Sequence, residues 1–284
     1  MKRLFWQTIS YGWVALLLAA SAPALTLASG EEGGSSAELP SLIGMLTHHE
    51  GLLYHWVNVI YALAASVVLC AVSLRVYAKR EMIPGRLQNL VEMLVEGMYD
   101  FLHSILGNEA KKFVPFLGTL FFYILAMNLM GIIPLGHSPS TNINITASLA
   151  IMVFLYAQYV GITRLGPVGY MDHLIGQPRD AISWAIVPLI LPIHVIGEFA
   201  KPFSLALRLF GNITGEDILV AAFVGLGISA MAMFGPTVAA SPVGIPLNVP
   251  FILLGILLST IQALVFTLLS TIYILMMLPH EEHH

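Results

Sequence analysis

Six ionisable side chains, His194, Glu198, Lys201, Arg208, Glu216 and Asp217, lie inside one apolar run that extends from Ala181 to Phe234. If that run is a membrane helix, a charge at the bilayer centre costs at least about 2.5–3.5 kcal/mol, so these residues must face protein or water. Glu198 and Lys201 stand three residues apart, a spacing at which they can neutralise each other and merely hold helices together. Arg208 has no such neighbour: positions 204, 205, 211 and 212 are Ser, Leu, Gly and Asn. A guanidinium without a local carboxylate needs a partner elsewhere. At about 100° per residue, Lys201, Ser204, Arg208 and Asn212 form a narrow stripe with His194 near it. Glu198 and Glu216 lie to one side of that stripe and Asp217 lies opposite the arginine, provided the helix is unbroken through Pro202 and Gly211. Arginine stays charged at any biological pH, whereas Glu, Asp and His exchange protons when their surroundings shift their pKa. A fixed positive barrier beside titratable groups suits the separation of two ion paths, because protons hop along acids and water but do not pass the arginine.

The elements that must position these groups follow from composition. The chain has 284 residues, 57% of them hydrophobic and only 10% charged, and its mean hydropathy is +0.84. Average soluble domains carry roughly 25% charged residues, so bilayer lipid must solvate most of this chain. A net charge of −4 leaves no basic stripe for a nucleic-acid partner. The single cysteine, Cys70, excludes an internal disulfide or a cysteine-built metal site and reads as a small buried hydrophobe.

About 20 mostly apolar residues make a membrane span. The qualifying runs are Trp56–Leu74, Phe113–Leu135, Ile143–Ile162, Ala181–Phe234 and Val249–Leu278, so the expected fold is an all-α membrane protein with about five membrane helices. The fourth run is too long for an upright crossing, since a continuous helix would extend about 80 Å against a hydrocarbon core of about 30 Å. It must tilt steeply, break or fold back, and Pro188, Pro192 and Pro202 offer places to kink. The last run is overlong as well, which suggests a strongly inclined hairpin of the two. Between the first two spans, Leu87, Leu90, Val91, Leu94, Met98, Phe101 and Leu102 recur at helical spacing opposite Glu92, Glu96 and Asp100, the pattern of an amphipathic helix on the membrane surface.

Lysine and arginine orient the chain. Arg75, Lys79, Arg80, Arg86, Lys111 and Lys112 fall between the first two spans, and Arg164 and Arg179 between the third and fourth, which makes both loops cytoplasmic and puts the amphipathic helix on that side. Residues 1–24 open with Met1-Lys2-Arg3, an apolar stretch and Ala22-Pro23-Ala24, the features of a signal peptide. An uncleaved anchor is the alternative, because Trp6 and Trp13 lengthen the apolar part. Residues 25–54 then form a polar extracytoplasmic leader. The acidic tail Glu281-Glu282 ends inside if the last two runs form a hairpin.

Lys201-Pro-Phe-Ser-Leu-Ala-Leu-Arg208-Leu-Phe-Gly-Asn212 resembles the signature helix of subunit a of the F-type ATP synthases. Ile261-Gln262-Ala-Leu-Val-Phe266 resembles that family's final helix, and Asn128-Leu-Met-Gly-Ile-Ile-Pro134 an earlier membrane segment. The resemblance covers about residues 40–284 and makes 55–284 a membrane stator domain. It implies a non-catalytic subunit of a bacterial inner-membrane complex, packed against a ring of c subunits and the b-subunit peripheral stalk. The ring carboxylate would be the partner of Arg208, loaded through one aqueous half-channel and unloaded through another, so that proton flow drives rotation and ATP synthesis. By position, Asn212 and Gln262 would line the contact near the arginine. Asp217, or its neighbour Glu216, would serve the outer half-channel, and His194 and Glu198 would be polar channel residues. Some members carry a histidine seven residues before the glutamine, where this chain has Gly255, so the outer route would run without a histidine relay.

Other features are weaker. His48, His49 and His55 read as headgroup-level histidines rather than a metal site. No phosphate-binding G-x-x-x-x-G-K-[ST] segment occurs, so no cofactor or nucleotide is expected in this chain. Sodium as coupling ion, a self-contained secondary transporter binding substrate at Arg208, and a structural assembly factor are the competing readings. Transporters usually show internal repeats, and the two halves of this chain do not resemble each other.

Overall fold

The computed structural model describes residues 56–78, 85–133, 136–176, 181–232 and 249–278. The targeting segment, the leader with its histidines, and the acidic tail lie outside these. The described residues are helical, with no strand among them: α1 Val57–Ala78, α2 Arg86–Leu106, α3 Ala110–Ile132, α4 Ile143–Ile175, α5 Ala181–Ala232 and α6 Val249–Met276. Short 3₁₀ turns at Gly107–Glu109 and Pro139–Thr141 precede α3 and α4. Among the described residues, five segments are long and apolar enough to cross a membrane, with α2, its turn and α3 counted as one.

The expected runs are helices, with two informative differences. The third extends thirteen residues past Ile162 and is kinked at Gly166, whose φ of 73° and ψ of 164° belong to a region open only to glycine. Pro167 follows, and the segment beyond it folds back on its own helix. A Cβ on Gly161 would meet the Tyr170 ring at 3.2 Å. The fourth run neither breaks nor folds back. It is one helix of 52 residues that continues through Pro188, Pro192 and Pro202, so the helical phase set out above holds from Lys201 to Asp217.

The helix α2 forms where the spacing predicts it. Gly107, at φ 56°, turns the chain after it so that α2 lies back along α3. A Cβ on Gly118 of α3 would touch Met98 at 3.7 Å. Met98, Leu102 and Leu106, one turn apart, pack with Phe113, Leu117 and Ile274. The main core gathers Tyr123, Ile124 and Met127 of α3, Leu149 and Val153 of α4, Leu205, Leu209 and Ile213 of α5, and Phe266 of α6. Cys70 packs against its edge, as a small hydrophobe should.

Leu205, Leu209 and Ile213 of α5 follow at intervals of four, the row that meets its neighbours, and this row sets the rotation of α5. Arg208, one position before Leu209, is thereby turned to an exposed flank. Phe203 and Leu207 beside it are 68% and 40% exposed.

Candidate functional site

The helices α5 and α6 meet in opposite directions at constant register. Lys201 Nζ lies 5.5 Å from the Tyr273 ring centroid. Asn212 Nδ2 donates to Gln262 Oε1 at 2.7 Å. Phe223 stacks on Phe251 with ring centroids 3.8 Å apart. Eleven residues separate successive contacts on each helix (201, 212, 223 against 273, 262, 251). Eleven residues are just over three full turns, so the same two faces keep meeting.

Arg208 lies one turn before Asn212 on α5. Among the described residues it has no carboxylate within ion-pair reach. Ser204, Gly211 and Gly215 share its exposed flank, and nothing lies within 4 Å of a Cβ built on either glycine. The flank presents small and apolar residues around one permanent charge.

One turn beyond Asn212, Glu216 points at α6. A Cβ on Gly255 would collide with the Glu216 carboxylate, so Gly255 opens the notch that the carboxylate fills. The glycine that stands where some relatives of the resembled family have histidine is thus matched to an acid on the facing helix. Glu216 Oε2 has no hydrogen-bond partner although it is buried. Asp217 is half-buried beside it.

In the other direction, Glu198 and Lys201 form the ion pair their spacing permits, with side chains only 14% and 22% exposed. Glu198 is also tied to α4: Gln158 Nε2 donates to its second oxygen at 3.0 Å, and the Tyr170 hydroxyl donates to the Gln158 carbonyl. The kink at Gly166 and Pro167 is what brings Tyr170 to Gln158. A narrow crevice lined by Ala150, Gln158, Glu198, Lys201 and Tyr273 runs beside the pair. His194 Nδ1 donates to the Leu174 carbonyl at 3.1 Å, satisfying a backbone acceptor near the end of α4.

The seven candidate residues therefore fall into three places. Arg208, Asn212 and Gln262 form the centre, Glu216 and Asp217 lie along α5 on one side, and Glu198 and His194 on the other. Gln158, Tyr170, Tyr273 and Ser259 were missed by sequence reasoning. Gln158 is an isolated amide in an apolar span, a signal that was there to be used. Ser259 shares the helical arc of Gln262 and could have been found by phase. Tyr170 carried no signal, because its position depends on the kink.

These helices and their polar seams define a multi-pass membrane protein with ionisable groups on its α5–α6 face. The family model described as "ATP synthase A chain" matches residues 59–275. The chain belongs to this family. It is 42% identical over 254 residues to the ATP synthase subunit a of Protochlamydia amoebophila, covering 86% of this chain and 90% of that protein. It is 38% identical over 223 residues to the ATP synthase subunit a of Oleidesulfovibrio alaskensis, covering 78% and 86% respectively. Membership carries the coarse role with it: a stator subunit in the membrane sector of an ATP synthase, working with the rest of that complex.

Proposed function

We propose that this subunit conducts protons between two half-channels and couples their flow to rotation of a c-subunit ring in a bacterial inner membrane. The observation that carries this reading is Arg208, exposed on an apolar flank with no acidic partner among the described residues. A lipid-facing arginine is untenable, so the flank needs a cover that brings a carboxylate. The small residues Ser204, Gly211 and Gly215 let a partner helix come close. A c-subunit helix with a membrane-embedded carboxylate meets both requirements.

In this mechanism the ring carboxylate arrives protonated and meets the guanidinium. The positive charge favours the ionised form, so the proton leaves. The same charge repels protons and blocks leakage between the half-channels. Asn212 and Gln262, bonded to each other, hold the face of α5 one turn beyond the arginine. Glu216 and Asp217 serve the outer half-channel. Glu198 and His194 lie toward the lysine- and arginine-bearing loops and serve the cytoplasmic one, with α2 on that side of the membrane. The overlong α5 and α6 are accommodated by a steep inclination, and the b-subunit stalk holds the assembly against the ring's torque.

The test uses inverted membrane vesicles containing the whole complex with Arg208→Ala. ATP-driven acidification, passive proton leak and ATP hydrolysis are followed together. Loss of acidification in an assembled complex that still hydrolyses ATP is the expected result. Pumping at a near-normal rate would make the arginine structural and end this reading.

A further inference from the structure

Helical hydroxyls in this protein are generally returned to their own helix. Ser66, Ser148, Thr267, Ser270 and Thr271 each donate to the carbonyl four residues earlier. Ser259 does not. It is fully enclosed at 0% exposure, yet its Oγ has no partner and makes no bond to the Gly255 carbonyl. Glu216 Oε2 and Gln262 Nε2 are buried without partners as well.

These three atoms belong to one seam. Gly255, Ser259 and Gln262 fall within an arc of about 60° on α6. Both flanking members meet α5, Gly255 at the Glu216 carboxylate and Gln262 at the Asn212 amide. Along the helix axis Ser259 comes between them, and the constant register sets it at a level between Asn212 and Glu216. The remaining orphaned atoms among the described residues, Asn128 Nδ2 and Thr214 Oγ1, lie in the later halves of α3 and α5, and none lies at the Glu198 end. A buried hydroxyl, a carboxylate oxygen and an amide are costly to leave unpaired. Ordered water bonded to each of them would satisfy all three.

The geometry points to Ser259 as a positioning residue that holds water between Glu216 and the Asn212–Gln262 pair, giving protons a hydrogen-bonded file from the outer acid toward Arg208. This rests on the reading of Glu216 as an acid of the outer half-channel. In each hop one O–H bond of the donor breaks as one O–H bond of the acceptor forms, and each proton that enters at Glu216 leaves toward the ring.

The experiment uses the whole complex in inverted vesicles, with Cys70→Ala as the parent. Ser259→Cys is probed with silver ion, and Ser270→Cys, equally enclosed but bonded to its own helix in the native chain, is the control. Silver is expected to arrest pumping quickly in Ser259→Cys and slowly in Ser270→Cys. Ser259→Ala is expected to slow pumping about fivefold, the effect of one lost hydrogen bond. Normal pumping in Ser259→Ala overturns the assignment. Slow pumping without faster silver access is a packing effect and overturns it too. Both results leave Glu216 in place, whereas normal pumping in Glu216→Gln removes the reading on which the inference stands.

Discussion

A single missing methyl group decides what Glu216 can do. Were position 255 any residue with a Cβ, the carboxylate would have to leave its notch. Gly255→Ala is therefore expected to depress ATP-driven proton pumping while the complex still assembles, measured as dye quenching against subunit content. Gly97 of α2 is the control, with nothing within 4 Å of an added Cβ. Gly97→Ala should leave pumping unchanged and stabilise its helix by about 0.5–1 kcal/mol, read as a higher melting temperature. Equal pumping in the two variants would mean that Glu216 does not depend on the notch. Arg208 and Asn212 were legible as candidates in residue type and spacing, and Gln262 through the family resemblance of its helix. The match of Gly255 to Glu216 was not, because it joins positions 39 apart in the chain.

Between helices, the Glu198–Lys201 pair and Gln158 clamp α5 to α4. Both side chains are largely shielded, so removing one leaves its partner without compensation. Lys201→Met or Glu198→Gln alone is expected to cost about 1–3 kcal/mol of stability, and the double variant less than the sum. A double-mutant cycle in detergent, by thermal unfolding, measures the coupling. Additive losses would show that the pair contributes nothing as a pair. The spacing of the two residues already allowed this pairing. The third member, Gln158, joins through the packing of α4 on α5, and the Tyr170 behind it through the fold-back at Gly166, neither of which is written in the spacing of residues along the chain.

Across the molecule, the two core clusters meet along α3, and a further tie joins the turn before α3 to α4. Glu109 accepts from Arg164 and Lys112, each at 2.8 Å. These side chains are 36–56% exposed, and exposed ion pairs contribute about 0–1 kcal/mol. Arg164→Ala should accordingly shift thermal stability by less than about 1 kcal/mol, and high salt should erase the difference. A larger, salt-insensitive loss would show that this corner carries the bundle. By contrast, the exposed apolar flanks of α5 and α6, with Ile196 and Phe203 each at 68%, are where lipid or partner subunits must lie.

Hydrophobic runs, helical periodicity and isolated charges depend on neighbours in the chain, and these were readable residue by residue. They determined an all-helical membrane protein, the bounds of most of its helices to within a few residues, though not the thirteen-residue extension of α4 past Ile162, and the unpartnered state of Arg208 within its own helix. The continuity of α5 through three prolines was open in the sequence, because whether a proline breaks a helix depends on what packs around it. Only the tertiary structure decided that Lys201, Asn212 and Phe223 face Tyr273, Gln262 and Phe251, that His194 is spent on a backbone carbonyl, and that Ser259 is left without a partner. The physical reason is common to all three: each depends on the rotation of one helix against another, and that rotation is set by the interlocking of core side chains such as Tyr123, Leu205 and Phe266, which are far apart in the chain.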